Sequence, residues 1–229
     1  TTLCRCPELT RGARRRPQER TAVRQRSPAT LLTALHGESC SRALQLARRA
    51  HSAIQLLEQG ESGGWSMQRD EDGIRTLFRP QGTAGGTEDS HSLAIRAEGS
   101  ISCPLLNVLA VVKETQLYAD WVPSVAGFGL ASVKVLQRRS PTQLTLQLTL
   151  SLPSPLWDRD VLLDVDGVDD LQSAEAPRVL LLMRDARLRN GSALPGPSEG
   201  VVRATVLQGA VVLTPRRNGS TDTQLLFQV

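Results

Sequence analysis

The stretch Gln143-Leu-Thr-Leu-Gln-Leu-Thr-Leu-Ser-Leu152 alternates polar residues with leucine without interruption. Successive side chains on a strand point to opposite faces. Leu144, Leu146, Leu148, Leu150 and Leu152 therefore share one face, and Gln, Thr and Ser occupy the other. Pro153 and Pro155 end the run. Strand patterns recur at Trp65–Arg69, Ile74–Arg79, His91–Ser100, Leu130–Arg138, Asp160–Val168, Arg178–Leu188, Val201–Leu213 and Thr221–Val229. The first two read as a hairpin turned at Asp72-Gly73, because both positions of a tight two-residue turn need positive φ. On the third, Leu93, Ile95 and Ala97 share a face. Pro195-Gly-Pro197 and Asn218-Gly219 supply later turns, and Gln208-Gly209 predicts a bulge or bend inside the Val201–Leu213 run.

Two segments carry a helical period instead. From Glu38 to Gln59, Leu44, Ala47, Ala50 or His51, Ile54 and Leu57 fall on one face, and Gly60 and Gly63-Gly64 end the pattern. After the third strand, Ser102 is placed to cap a helix with Pro104 in its first turn and Leu105, Val108, Leu109 and Val112 on one side. That helix breaks near Tyr118, before a short piece around Ala119-Asp-Trp121 that Pro123 ends. Gly127, Phe128 and Gly129 mark the return to sheet. The order is helix, three strands, helix pair, then about six strands. Runs of strands without strict alternation with helices predict an antiparallel α+β fold. A sheet with one polar and one aliphatic face is expected to wrap around its helices.

Composition narrows the picture. The chain has 229 residues, 40% hydrophobic and 22% charged, which suits one domain with an appended tail. Aromatics make up only 3%, so the core must be aliphatic. The net charge of +4 is unevenly spread: residues 1–26 hold eight Arg and two Glu, leaving about −2 for the rest. The body therefore offers nucleic acid no strongly basic face. Residues 1–37 are expected to be a disordered basic tail. An organelle transit peptide is the alternative reading of its Arg-rich, acid-poor beginning. Cys4, Cys6, Cys40 and Cys103 form no C-x-x-C pair, and His36, His51 and His91 stand at no ligand spacing from them. Reduced thiols in a cytoplasmic setting, with no metal and no cofactor, are expected. No run of 18 apolar residues is present.

The segment Cys103-Pro-Leu-Leu-Asn-Val-Leu-Ala-Val-Val-Lys-Glu-Thr-Gln-Leu-Tyr-Ala-Asp-Trp-Val-Pro123 resembles the helix pair of START-type (steroidogenic-acute-regulatory-related lipid-transfer) domains. In that superfamily an apolar helix precedes a Leu-Tyr-x-x-Trp-x-Pro element. Pro155-Leu-Trp-Asp-Arg-Asp160, running on to Gly167-Val-Asp-Asp-Leu171, resembles the family's Pro-Leu-x-x-Arg-Asp start of a strand and its Gly-x-Asp end. Trp65 and Gly99-Ser-Ile-Ser102 also fit, and the resemblance spans about residues 40–229. It implies a helix-grip fold over residues 38–229: a curved antiparallel sheet of about nine strands, an N-terminal helix, and a helix pair inserted after the third strand. It also implies a long amphipathic helix after the last strand. The sequence stops at Leu225-Leu-Phe-Gln-Val229 inside that strand, so a fragment or truncated gene model is expected, with a lidless variant as the alternative.

The function so implied is binding of a lipid or other hydrophobic molecule between sheet and helices, extending to transfer between membranes through transient peripheral contact. Arg159, flanked by Asp158 and Asp160, either points into the cavity and holds a polar head or forms a strand-end ion pair with Asp158. Tyr118 and Trp121 either line the cavity mouth or plug the core beneath the helix pair. Leu146, Leu148 and Leu150 either floor the cavity or pack against the 103–117 helix. Glu98, Glu114 and Asp120 are too scattered for paired-carboxylate chemistry, and adjacent Ser90 and His91 would point to opposite faces. Gly82 to Gly86 lacks the Lys-Ser/Thr of a phosphate loop. A non-catalytic binding module is therefore expected. A polyketide cyclase or aromatase of the same superfamily, or an interaction domain with a collapsed cavity, are the alternatives.

Overall fold

The computed structural model describes residues 28–59, 64–82, 91–122, 129–174, 176–186 and 195–229, and the backbone alone for residues 28–39, 81, 82, 91 and 121. The chain divides into two compact units, Thr1–Ser41 and Arg42–Val229. Helix α1 (Pro28–Glu58) begins in the first, and from Arg42 onward it belongs to the second. It starts at Pro28 rather than Glu38, so part of the predicted disordered tail is helical. Proline is tolerated in a helix's first turn, and Leu31, Leu32 and Leu35 are good helix formers. The rest of the basic tail and the 83–90 segment lie outside the described residues.

The second unit continues with β1 (Ser66–Glu71), β2 (Ile74–Gly82), β3 (His91–Ile101), α2 (Leu105–Lys113), a 3-10 turn (Thr115–Leu117) and α3 (Tyr118–Trp121). Then come β4 (Gly129–Ser140), β5 (Gln143–Ser151), β6 (Asp158–Asp170), β7 (Arg178–Asp185), β8 (Val201–Ala204), β9 (Gln208–Pro215) and β10 (Thr221–Gln228). The strands form one open sheet in the order β1-β2-β3-β10-β9-β7-β6-β5-β4. Every pair is antiparallel except β8, which runs parallel to the start of β6. This is the α+β arrangement expected, with the helix pair after the third strand. The hairpin turn is also as read: Asp72 and Gly73 have φ of 54° and 74°.

Two local readings need correction. Ser102 does not cap α2. Pro104 occupies that position with φ −62°, ψ 149° and no side-chain bond, because the Cys103 N–H closes the turn out of β3 by donating to the Ile101 carbonyl at 2.7 Å. The Val201–Leu213 run is not one bulged strand. It divides into β8 and β9, and the register is regular through Gln208-Gly209 against β10 and as far as Gly209 against β7. β8 continues the line of β7 beside β6, whereas β9 lies one line over, so the chain must step sideways at Thr205–Leu207.

The sheet's two faces differ in chemistry. Under α1, Leu77, Ala94, Leu180, Leu182, Ala210, Val212 and Leu226 pack against Ala50, Ala53 and Leu57. Toward β6 the same face turns polar. Asp160, Asp164 and Asp166 are 1%, 3% and 6% exposed. Each is met by guanidinium groups. Asp160 accepts from Arg203 of β8 at 2.6 Å, Asp164 from Arg139 of β4 at 3.2 Å, and Asp166 from Arg49 at 2.8 Å and Arg42 at 3.3 Å, both on α1. The Thr145 hydroxyl adds a 2.8 Å bond to Asp164, and Arg184 of β7 stands 3.8 Å away.

These pairs set the rotation of α1. Its inward stripe is Arg42, Leu46, Arg49, Ala50, Ala53, Ile54 and Leu57, so Ala50, Ile54 and Leu57 of the expected face pack inward whereas Leu44 and Ala47 are exposed. Helical spacing permitted both stripes, and Asp166 selects the one that carries arginines. Removing the carboxylate from Asp164 takes away the anion that Arg139, Arg184 and the Thr145 hydroxyl approach. Asp164→Ala is expected to lose about 3 kcal/mol of stability, read as a lower urea midpoint at unchanged slope.

Candidate functional site

The opposite face of the sheet is aliphatic and half open. Leu144, Leu146 and Leu148 of β5 stand opposite Val165, Leu163 and Val161 of β6, and Leu150 stands opposite Arg159. Val133 and Val135 of β4 extend the face past Leu148 and Leu146. One registered row crosses seven strands: Leu144, Val165, Met183, Gly209, Phe227, Ile95 and Phe78. Its side-chain-bearing members are only half-buried.

Gly209 sits at the middle of this row for a steric reason. A Cβ there would lie 3.0 Å from the Met183 Cβ and 3.3 Å from a Phe227 ring carbon. The glycine lets the two large side chains close over the strand between them, a role that glycine in a strand interior often marks.

α2 covers the neighbouring rows of this face. Its Leu105 and Val108 pack with Val179 and Leu213, joined by Cys103, Leu109, Val112 and Val211. Leu146, Leu148 and Leu150 belong to a separate cluster with Val161, Leu163, Val206, Met183 and Phe227. They do not pack against the 103–117 helix. Leu146 is 4% exposed, whereas Leu148 and Leu150 are half-buried.

Tyr118 closes the helix pair from within. Its hydroxyl donates to the Val112 carbonyl in the last turn of α2, and the ring is half-buried. Burial raises its phenol above the ordinary value of 10.0, because phenolate loses solvation there. The backbone of Trp121 ends α3, and its side chain lies outside the described residues.

The expected Arg159 cluster does not form. Neighbouring strand residues alternate faces, so Asp158 and Asp160 point away from Arg159. Arg159 lies on the aliphatic side, and its guanidinium donates to the Trp157 carbonyl at 2.7 Å. Asp158 accepts the Leu152 N–H at 3.1 Å, and Asp160 is held by Arg203 and Gln147. The strand-end ion pair is absent as well, since Arg159 makes no ion pair among the described residues.

Glu98 is tied to Arg96 at 2.7 Å and Arg75 at 3.2 Å, apart from Glu114 and Asp120. Ser90 and the His91 side chain lie outside the described residues. Among the described residues, no three His, Cys, Asp or Glu groups could hold a metal. No described helix is long and apolar enough to cross a membrane. A cleft of about 860 Å3 lies off the aliphatic face, between the β6–β7 connection and the β9–β10 turn, beside the paired Arg216 and Asp222.

Sequence reasoning missed Met183, Phe227 and Ile95 as one surface, because register across strands distant in sequence cannot be read from one strand's alternation. Gly209 was the available signal, although it reads equally as a bulge.

No protein-family model matches the chain, and no curated protein matches it in sequence. Solved structures share its fold. Human StAR-related lipid transfer protein 5 aligns at a TM-score of 0.60 and 19% identity, over 82% of this chain and 81% of that one. The human StarD13 (DLC2) lipid transfer and protein localization domain aligns at 0.51 and 17% identity, over 77% and 80%. The STAR-related lipid transfer protein of Xanthomonas axonopodis aligns at 0.50 and 19% identity, over 72% and 80%. The architecture is therefore the START-type helix-grip fold, as the helix-pair and strand motifs implied.

Two outcomes follow from this geometry. As pH rises, the unfolded chain releases the Tyr118 proton first, so stability is constant in this respect below about pH 10 and falls above it. Tyr118 is the chain's one tyrosine, so a tyrosinate absorbance titration reads it directly and should place its midpoint above 10.0. Tyr118→Phe should cost about 1 kcal/mol and abolish that share of the alkaline decline. Gly209→Ala should cost about 1–2 kcal/mol in thermal or urea unfolding, as the new methyl presses on Met183 and Phe227.

Proposed function

We propose that this chain is a non-catalytic binding module that holds a lipid or other hydrophobic small molecule against the aliphatic face of its sheet, beside the α2–α3 pair. The observation that carries this reading is the half-buried row from Leu144 to Phe78, aliphatic or aromatic across seven strands except for Gly209. Such a surface gains free energy when apolar carbon displaces its water. A ligand hiding about 300 Å2 of apolar area gains roughly 7 kcal/mol before its immobilisation is deducted. The fold supports the same reading, since solved structures that share it are described as lipid transfer proteins. Arg159, at the end of the face opposite Leu150, is the proposed partner for a polar or anionic head. Tyr118 bounds the site by holding α3 onto α2. Transfer between membranes would follow from a site open on one side, with the membrane contacted only transiently.

Displacement of a fluorescent fatty acid or sterol by unlabelled lipid tests this, together with mass spectrometry of lipid extracted from the purified protein. Saturable binding is expected, weakened at least about tenfold by Leu148→Asp, which places a charge among the carbons. Arg159→Ala keeps the face intact. It should weaken ligands with an anionic head several-fold and leave neutral ones unchanged. Absence of both bound lipid and displaceable probe in the folded wild type would sink the reading.

A further inference from the structure

The α1 side of the sheet carries a feature of opposite chemistry. Arg48, Arg49 and Ser52 of α1 meet Arg184 of β7 and Gln208 and Gly209 of β9 around an open cleft of about 320 Å3. Its lining includes three arginines and no acidic residue. The carboxylates nearby are already engaged. Asp166 takes Arg49 at 2.8 Å and Arg42 at 3.3 Å, while Asp164 takes Arg139 at 3.2 Å with Arg184 at 3.8 Å. Four guanidinium groups thus share two carboxylates, and a fifth, that of Arg48, has no ion pair among the described residues.

One atom sharpens the point. Arg49 gives Nη1 to Asp166, but its Nη2 is buried and, among the described residues, has no hydrogen-bond partner. A buried N–H left unmet is costly, and a charged one more so. An oxyanion in the cleft would meet it once the Arg49 side chain turns toward the opening, with Arg48 and Arg184 supplying further charge and the Ser52 hydroxyl and Gln208 amide further donors. Guanidinium forks match the oxygen spacing of phosphate and can bind it bidentately.

We propose that this cleft binds a phosphate group, presented either as a free phosphate or phosphomonoester or as the phosphate of a lipid headgroup. The site opens on the α1 side, with Met183 and Gly209 of the aliphatic row at its border, and does not depend on the lipid-binding reading above. Leu182, which shares its lining, packs in the core beneath α1.

Calorimetric titration with inorganic phosphate at low ionic strength, where screening is weakest, tests the chemistry. Flotation with phosphatidylcholine vesicles, with and without a phosphoinositide, tests the source. Saturable phosphate binding is expected, weakened at least about tenfold by Arg48→Gln and by Arg184→Gln. Arg48→Gln breaks no ion pair among the described residues, so its melting temperature should match wild type and isolate the loss to binding. Phosphoinositide-dependent flotation that Arg48→Gln abolishes assigns a lipid headgroup. Phosphate binding without flotation assigns a soluble anion. If the wild type binds neither probe, or Arg48→Gln binds as tightly as wild type, the proposal is overturned.

Discussion

Three carboxylates buried on one face of β6 constrain much of this molecule. Asp160, Asp164 and Asp166 lie almost without solvent, and a carboxylate there is tolerable only if a cation and hydrogen bonds replace its water. The replacements come from four elements: Arg203 of β8, Arg139 of β4, Arg184 of β7, and Arg42 and Arg49 of α1. Satisfying β6 therefore joins a parallel edge segment, the outermost strand and the N-terminal helix to the centre of the sheet. Apolar contact alone would let α1 roll. The Asp166 pair holds it with Arg42 and Arg49 inward and Leu44 outward.

The same strand frees the other face. Strand alternation sends the acidic residues to the α1 side, so Val161, Leu163 and Val165 go to the opposite side with the leucines of β5. Polar bonding is concentrated where α1 can answer it, and the far face needs only carbon. α2 uses part of that face, leaving a registered row whose middle position must be Gly209 for Met183 and Phe227 to approach. A surface suited to an apolar ligand and an arginine-rich cleft suited to an anion thus lie on opposite sides of one sheet, as consequences of one alternation.

Much of the architecture was legible from local chemistry. Asp72-Gly73 named its turn because its positive φ values are intrinsic to those residue types. The Leu144–Leu152 alternation named a one-sided strand, and the break before Tyr118 appeared as a 3-10 turn between α2 and α3. The failures share a cause. Ser102 was a good cap by type, but the turn out of β3 had already closed through backbone atoms. Val201–Leu213 was one apolar run, but the chain had to change lines within the sheet. Arg159 had two adjacent acids in sequence, and strand geometry put both on the other face.

By itself, then, the sequence determined the elements, their order and the apolar character of each strand face, because period, turn preference and propensity act over a few residues. It also held the Asp-x-Asp spacing of β6 in plain view, although nothing local says that those acids would be buried. Only the tertiary structure decided which arginines reach them, which way α1 turns, and that Leu144, Met183, Phe227 and Ile95 form one surface. Those outcomes depend on register between strands far apart in the chain and on charges that must find partners once water is gone.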